Sequence, residues 1–188
     1  MTGVNYILAP FTLQNPYVIM KLSQIEKTIM LNLPDTIKMV ITDFDGIMTD
    51  NFVYINENSQ STRRLNYKDV TGCFLLKRKG IEISIISGER NPAIKWIKDT
   101  FELNEVHERI WEKLPVLKTI LEKYNLSQEE YLYIGDDIND ISCLEYAKYK
   151  ITVPNATQKV KDIEGIQITS ASGGDGAIRE VADCLINM

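Results

Sequence analysis

No apolar run in this chain approaches the length of a membrane span, so nothing in the sequence calls for a bilayer. The N-terminus lacks the basic start and continuous apolar core of a secretory signal. Positive charge is also short: the formal net charge of −5 leaves no basic stripe for nucleic acid or an anionic membrane. The one tight basic cluster, Lys77-Arg78-Lys79, stands before Gly80 at the end of a helical pattern, where cations complement the macrodipole. Cysteine is sparse. Cys73, Cys143 and Cys184 are widely spaced without a Cys-x-x-Cys pair, as suits small buried side chains in a reducing compartment, so the expected location is the cytoplasm. Internal repeats and low-complexity segments are absent. So is the Gly-x-x-x-x-Gly-Lys-[Ser/Thr] phosphate loop.

What is present is ordinary globular composition, 44% hydrophobic and 25% charged, in a length that suits one α/β domain. Residues 1–36 read as an N-terminal arm and helix, with a helical candidate from Asn15 to Leu33 stopped by Pro34. From residue 37 to 188 short apolar runs alternate with helical patterns. The runs are Ile37–Thr42, Ile83–Ile86, Tyr131–Ile134, Ile151–Val153 and Ile166–Thr169. The helices are Asp69–Lys79, Asn91-capped Pro92 to Phe101, Pro115–Tyr124, Ile138–Lys148, Ala156–Ile163 and Ala177–Ile186. Residues 52–55 and 62–65 flank Asn56-Glu57-Asn58-Ser59-Gln60 as a β-hairpin. This alternation predicts a doubly wound parallel sheet.

The chemistry gathers at the ends of the runs. The first ends in Asp43-Phe44-Asp45-Gly46, which brings two carboxylates to the sheet edge where ligands bind in open α/β folds. Two such acids can share a metal ion, or one can bind metal while the other attacks or moves protons. The second run ends in Ser87-Gly88-Glu89, Lys113 opens a helix, and the third ends in Gly135-Asp136-Asp137 with Asn139 and Asp140 behind. Taken singly, Ser87-Gly88 is a turn, Lys113 a solvated lysine and Asp136-Asp137 a helix cap. An EF-hand does not fit, because it wants glycine at its sixth position and Gly46 stands fourth from Asp43.

Their joint order, Asp-x-Asp, Ser, Lys, Gly-Asp-Asp over residues 38–184, resembles the haloacid dehalogenase superfamily of phosphotransferases. The resemblance implies that Asp43 is a nucleophile forming an aspartyl-phosphate and that Asp45 is the general acid and base. It implies a Mg²⁺ ion on Asp43, Asp136 and the Asp45 carbonyl, with Asp137 or Asp140 in support. Ser87 and the Gly88 amide would hold phosphate, and Lys113 would neutralise it and hold Asp43. The gaps between Gly46, Ser87 and Lys113 leave no room for a cap domain. The only histidine, His107, is then a structural or surface residue, since Asp45 fills the base's role.

Within the superfamily the chain is similar to the capless 3-deoxy-D-manno-octulosonate 8-phosphate phosphatases and their sialic-acid-type, nonulosonate 9-phosphate relatives. Asp50, the Asn66-Tyr67-Lys68-Asp69-Val70-Thr71-Gly72 stretch and Gly173-Gly174-Asp175-Gly176-Ala177-Ile178-Arg179-Glu180 carry that likeness. It implies a 2-keto-3-deoxy sugar-acid phosphate as substrate and a homotetramer in which a neighbour's hairpin and glycine-rich tail roof each site. Glu89 stands where the octulosonate enzymes usually carry Arg and leans toward the nine-carbon branch. Lys68, Arg63, Arg64 and Arg179 are candidates for the sugar's carboxylate. The alternative is a non-catalytic oligomerisation module, like the phosphatase-like domain fused to acylneuraminate cytidylyltransferases.

Overall fold

In the computed structural model, which describes residues 31–186, the alternation becomes a six-stranded, all-parallel sheet. The strands are β1 (Met39–Thr42), β4 (Glu82–Ile86), β5 (Glu105–His107), β6 (Tyr131–Ile134), β7 (Tyr149–Thr152) and β8 (Gln167–Ile168), in the order β5-β4-β1-β6-β7-β8. β1 and β6 are buried along their whole length, as strands covered on both faces must be, which is why they read as unbroken apolar runs. The helices are α1 (Tyr67–Lys79), α2 (Pro92–Phe101), α3 (Lys113–Tyr124), α4 (Ile141–Tyr146), α5 (Gln158–Lys161) and α6 (Ala177–Ile186). The helical candidate at Asn15–Leu33 lies outside the described residues except for its last positions. Among the described residues no helix is long and apolar enough to cross a membrane.

Local chemistry sets the helix ends. The Asn66 side chain accepts from the Lys68 amide at 2.9 Å, so α1 begins two residues before the expected Asp69. Asn91 accepts from the amides of Ala93 and Ile94 at 3.0 and 3.1 Å, and Pro92 occupies the first turn of α2, as the sequence predicts. The two helices that follow β6 are shorter than expected, with α5 confined to Gln158–Lys161, while α6 spans Ala177–Ile186 as the sequence predicts. Ile138–Asp140 forms a separate 3₁₀ turn, α4 stops at Tyr146, and Tyr149 and Lys150 join β7. The hairpin is β2 (Tyr54–Ile55) paired antiparallel with β3 (Ser61–Thr62).

The strand β5 is absent from the sequence reading, and its side chains show why. Only three residues long and at the sheet edge, it carries Glu105 and His107 where an apolar residue would be the signal. The buried Glu105 is made tolerable by His107 Nε2 at 2.8 Å, Tyr124 Oη at 3.2 Å and Lys123 Nζ. His107 is thus a structural partner. No cap domain is present among the described residues: the hairpin and α1 fill the Gly46–Ser87 gap, and α2 and β5 fill the next.

The topology places the site. β1 pairs with β4 on one side and β6 on the other, with Thr42 in register with both Ile85 and Ile134. The residues that follow all three strands therefore emerge side by side at the carboxyl edge, at the point where the strand order reverses.

Candidate active site

Asp43 is held at the end of β1 by its amide, which donates to Ile134 O at 2.9 Å, while Phe44 is fully buried behind it. The chain then turns sharply at Gly46, in the left-handed region at φ 90°. A Cβ at Gly46 would lie 2.0 Å from Asp136 Oδ2, so only glycine lets the Asp43–Gly46 loop approach the acid delivered by β6.

Beneath these loops four charged groups share one buried space. Lys113 Nζ, fully buried, sits 2.9 Å from Asp43 Oδ1 and 2.8 Å from Asp140 Oδ1. Asp140 also accepts from Tyr133 Oη at 2.7 Å and, through Oδ2, from the amides of Asp136 and Asp137. Of the two supporting acids the sequence left open, Asp140 is the one turned inward, while Asp137 caps the 3₁₀ turn through Ile138 N at 2.7 Å.

Burial, then the charge of Asp140, pushes the Asp43 carboxyl up to about 7 against the pull of Lys113. Burial, then the charge of Asp43, pushes Asp136 up to about 8. Burial works against the Lys113 ammonium too, but Asp140 and Asp43 more than offset it and hold its pKa above the usual lysine value. Fully ionised, the three carboxylates would carry more negative charge than one lysine can balance, and without a further cation protons are held there instead.

A hard divalent cation fits this deficit. One carboxylate oxygen from each of Asp43, Asp136 and Asp140 lies within 4.8 Å of the others, and Asp136 Oδ1 is buried with no hydrogen-bond partner among the described residues. An all-oxygen donor set with an orphaned carboxylate oxygen suits Mg²⁺ better than a transition metal.

Asp45 is held by a separate set of partners. Its Oδ1 accepts from Arg63 Nε at 3.0 Å and Thr49 Oγ1 at 3.2 Å, and its Oδ2 accepts from Asn91 Nδ2 at 3.3 Å. Asn91 thus caps α2 with its oxygen and steadies Asp45 with its nitrogen. That second task has no signal in the sequence, and neither does the part of Thr49.

Asp43, Asp45, Ser87, Gly88, Glu89 and Asp136 line one open pocket of about 130 Å³. The four basic candidates are distributed differently. Arg63 reaches Asp45, with its Nη1 buried and without a partner among the described residues. Arg64 pairs with Asp50 at 2.9 Å and braces the hairpin base. The exposed Lys68 lays its stem along Gly176, and Arg179 Nε is gripped by both Asp183 oxygens at 2.8 and 2.9 Å. None of the four lines this pocket within one chain, and Arg63 bears on it only through Asp45.

The glycine-rich segment, expected to reach over a neighbouring subunit, is packed against its own chain. A Cβ on Gly173 would lie 1.6 Å from Gly46 O, and Gly174 N donates to Ile47 O at 2.9 Å. Asn66 Nδ2 holds Gly174 O at 3.3 Å, and buried Asp69 accepts from the amides of Gly176, Ile178 and Arg179 at 3.0, 2.9 and 3.2 Å. The segment is a strut under the Asp43–Asp50 loop.

Residues 16–180 match the haloacid dehalogenase-like hydrolase family, and the chain belongs to that family of enzymes. It is 27% identical over 152 residues to the 3-deoxy-D-manno-octulosonate 8-phosphate phosphatase KdsC of Escherichia coli K12, covering 81% of this chain and 80% of that one. The crystal structure of 3-deoxy-D-manno-octulosonate 8-phosphate phosphatase from Moraxella catarrhalis, in complex with a magnesium ion, a phosphate ion and a KDO molecule, superposes with a TM-score of 0.76 at 27% identity over 81% of this chain and 87% of that one. A putative hydrolase of superfamily subfamily III A from Legionella pneumophila gives 0.79 at 25% identity, covering 89% and 91%.

Proposed function

We propose that this protein is a Mg²⁺-dependent phosphatase of a 2-keto-3-deoxy sugar acid, an octulosonate 8-phosphate or a nonulosonate 9-phosphate. The observation that carries the reading is the convergence of Asp43, Asp45, Ser87 and Asp136 on one small pocket with Lys113 sealed beneath it. The likeness to the Escherichia coli and Moraxella catarrhalis phosphatases supports the eight-carbon substrate. Glu89, on the wall of the pocket, supports the nine-carbon one.

In this reading the Asp43 carboxylate attacks phosphorus in line, the ester P–O bond breaks, and Asp45 delivers a proton to the departing alkoxide. Asp45 then takes a proton from water, which attacks the aspartyl-phosphate and releases Asp43. Arg63, Thr49 and Asn91 orient the Asp45 carboxyl for both transfers. Ser87 and the Gly88 amide hold phosphate oxygens, and Lys113 fixes Asp43 while balancing developing charge. Asp43, Asp136 and the Asp45 carbonyl would hold Mg²⁺, with Asp140 in support. When bound, the ion offsets the repulsion between phosphate and the carboxylates.

The uncapped pocket is open to water, and exclusion of water then falls to a neighbour. The hairpin exposes Phe52, Val53, Tyr54 and Ile55 in succession, an apolar run suited to contact with another subunit in a cytoplasmic homotetramer. Arg64, Lys68 and Arg179 remain candidates for the sugar's carboxylate across such a contact. A phosphate-release panel tests the reading. Turnover of octulosonate 8-phosphate or a nonulosonate 9-phosphate well above that of generic phosphate esters is expected, and no release from any sugar-acid phosphate in Mg²⁺ would overturn it.

A further inference from the structure

The pocket around Asp43 has about 130 Å³, space for a phosphoryl group and a cation but not for an eight- or nine-carbon chain. The leaving group must lie outside it. One wall of the pocket is Trp111, which is 67% exposed, an unusual position for the largest apolar side chain in a protein. Trp111 and Asn139 also border a second, wider groove of about 560 Å³ floored by Leu114, Pro115, Ile138 and Ile141. The indole therefore stands on the lip where the phosphate pocket opens outward.

The backbone carrying it is tied down on both sides. Arg109, two residues before Trp111, takes the left-handed conformation at φ 61°, uncommon for a side-chain-bearing residue. Ile110 N then donates to Ser87 O at 3.0 Å, joining this turn to the proposed phosphate loop. Two residues beyond Trp111, Lys113 is locked between Asp43 and Asp140. An aromatic face left in water on a fixed backbone beside a reactive pocket is placed to be covered by what enters that pocket.

We infer that Trp111 is a specificity-determining residue, the platform on which the polyhydroxylated leaving group lays a C–H face while its phosphate occupies the acid pocket. Glu89, lining the same pocket, accepts hydrogen bonds from the sugar's hydroxyls. The inference rests on the phosphatase reading and adds to it the residue that tells a sugar from a small ester.

Two measurements test it. Trp111→Ala should raise KM for octulosonate 8-phosphate or a nonulosonate 9-phosphate about three- to ten-fold more than KM for acetyl phosphate, whose acyl group is too small to reach the indole. Trp111→Phe should recover most of that difference. The chain has two tryptophans, so a Trp96→Phe background leaves Trp111 as the sole reporter. Titration of that protein with the unphosphorylated sugar acid in Mg²⁺ should give a saturable change in emission. If wild-type enzyme releases phosphate and Trp111→Ala shifts both KM values equally, or the emission does not respond, the platform is refuted while the phosphatase stands. Failure of wild type on every sugar-acid phosphate overturns both.

Discussion

Asp69 does not line the acid pocket, yet its replacement should be among the most destabilising single changes in this fold. Its fully buried carboxylate accepts from the amides of Gly176, Ile178 and Arg179, so it caps α6 from α1 and pins the strut beneath the Asp43–Asp50 loop. Asp69→Ala leaves these three donors without partners, at about 1–3 kcal/mol for each buried one. Removing the carboxyl also removes its own burial cost, and the net loss at pH 7 should be about 3 kcal/mol. For a chain of this size that is a fall of roughly 6–12 °C in Tm.

The pH dependence gives a sharper signature. Burial raises the Asp69 carboxyl to about 6 from its ordinary 3.8, against the pull of its three amide partners. Between pH ~4 and ~6 the folded chain holds a proton that the unfolded chain has released, so the stability contributed by this group falls as pH rises through that window and is constant above it. The variant has no such group. Its deficit relative to wild type should therefore grow on acidification from pH ~6 to ~4, by up to about 3 kcal/mol. Thermal unfolding by circular dichroism across that range measures it. A Tm within about 2 °C of wild type at pH 7, or a deficit that shrinks on acidification, would refute the reasoning.

Chelation by EDTA should abolish phosphate release and Mg²⁺ should restore it, and full activity after exhaustive chelation would remove the cation from the mechanism. Asp43→Asn should lower turnover by about 10³-fold or more, equivalent to about 4 kcal/mol of barrier, with Asp45→Asn similarly damaging but still able to form phosphoenzyme from an ester with a good leaving group. Near-normal rates in both variants would favour the non-catalytic module. Gly173→Ala should displace the loop carrying Asp45 and Gly46, because its Cβ would meet Gly46 O at 1.6 Å; turnover in Mg²⁺ should fall, and a wild-type rate would show that the strut does not bear on the loop. Light scattering should report a tetramer, and a fully active monomer would leave the roofing of the site unexplained.

The sequence by itself determined the α/β class, the helix caps at Asn91 and Gly80, and the order of Asp43, Asp45, Ser87, Lys113 and Asp136 along the chain. Each of these is local: a buried parallel strand is a short apolar run, and the polar group that follows it marks the sheet edge. Only the tertiary structure decided which polar groups meet. Asn91 reaches Asp45 across 46 positions and Asp69 reaches Gly176 across 107, separations over which no periodicity runs. Asp140 rather than Asp137 joins the cluster because the 3₁₀ turn points one carboxylate at Lys113 and spends the other on its own cap. β5 was hidden because an edge strand of three residues can carry a glutamate once three side chains from β5 and α3 satisfy it. From the sequence, the glycines at 173 and 174 belong to a tail expected to lie over a neighbouring subunit's site. The fold uses them as a close contact, since only a residue without a Cβ can press its backbone against Gly46 and the Thr49–Asp50 turn.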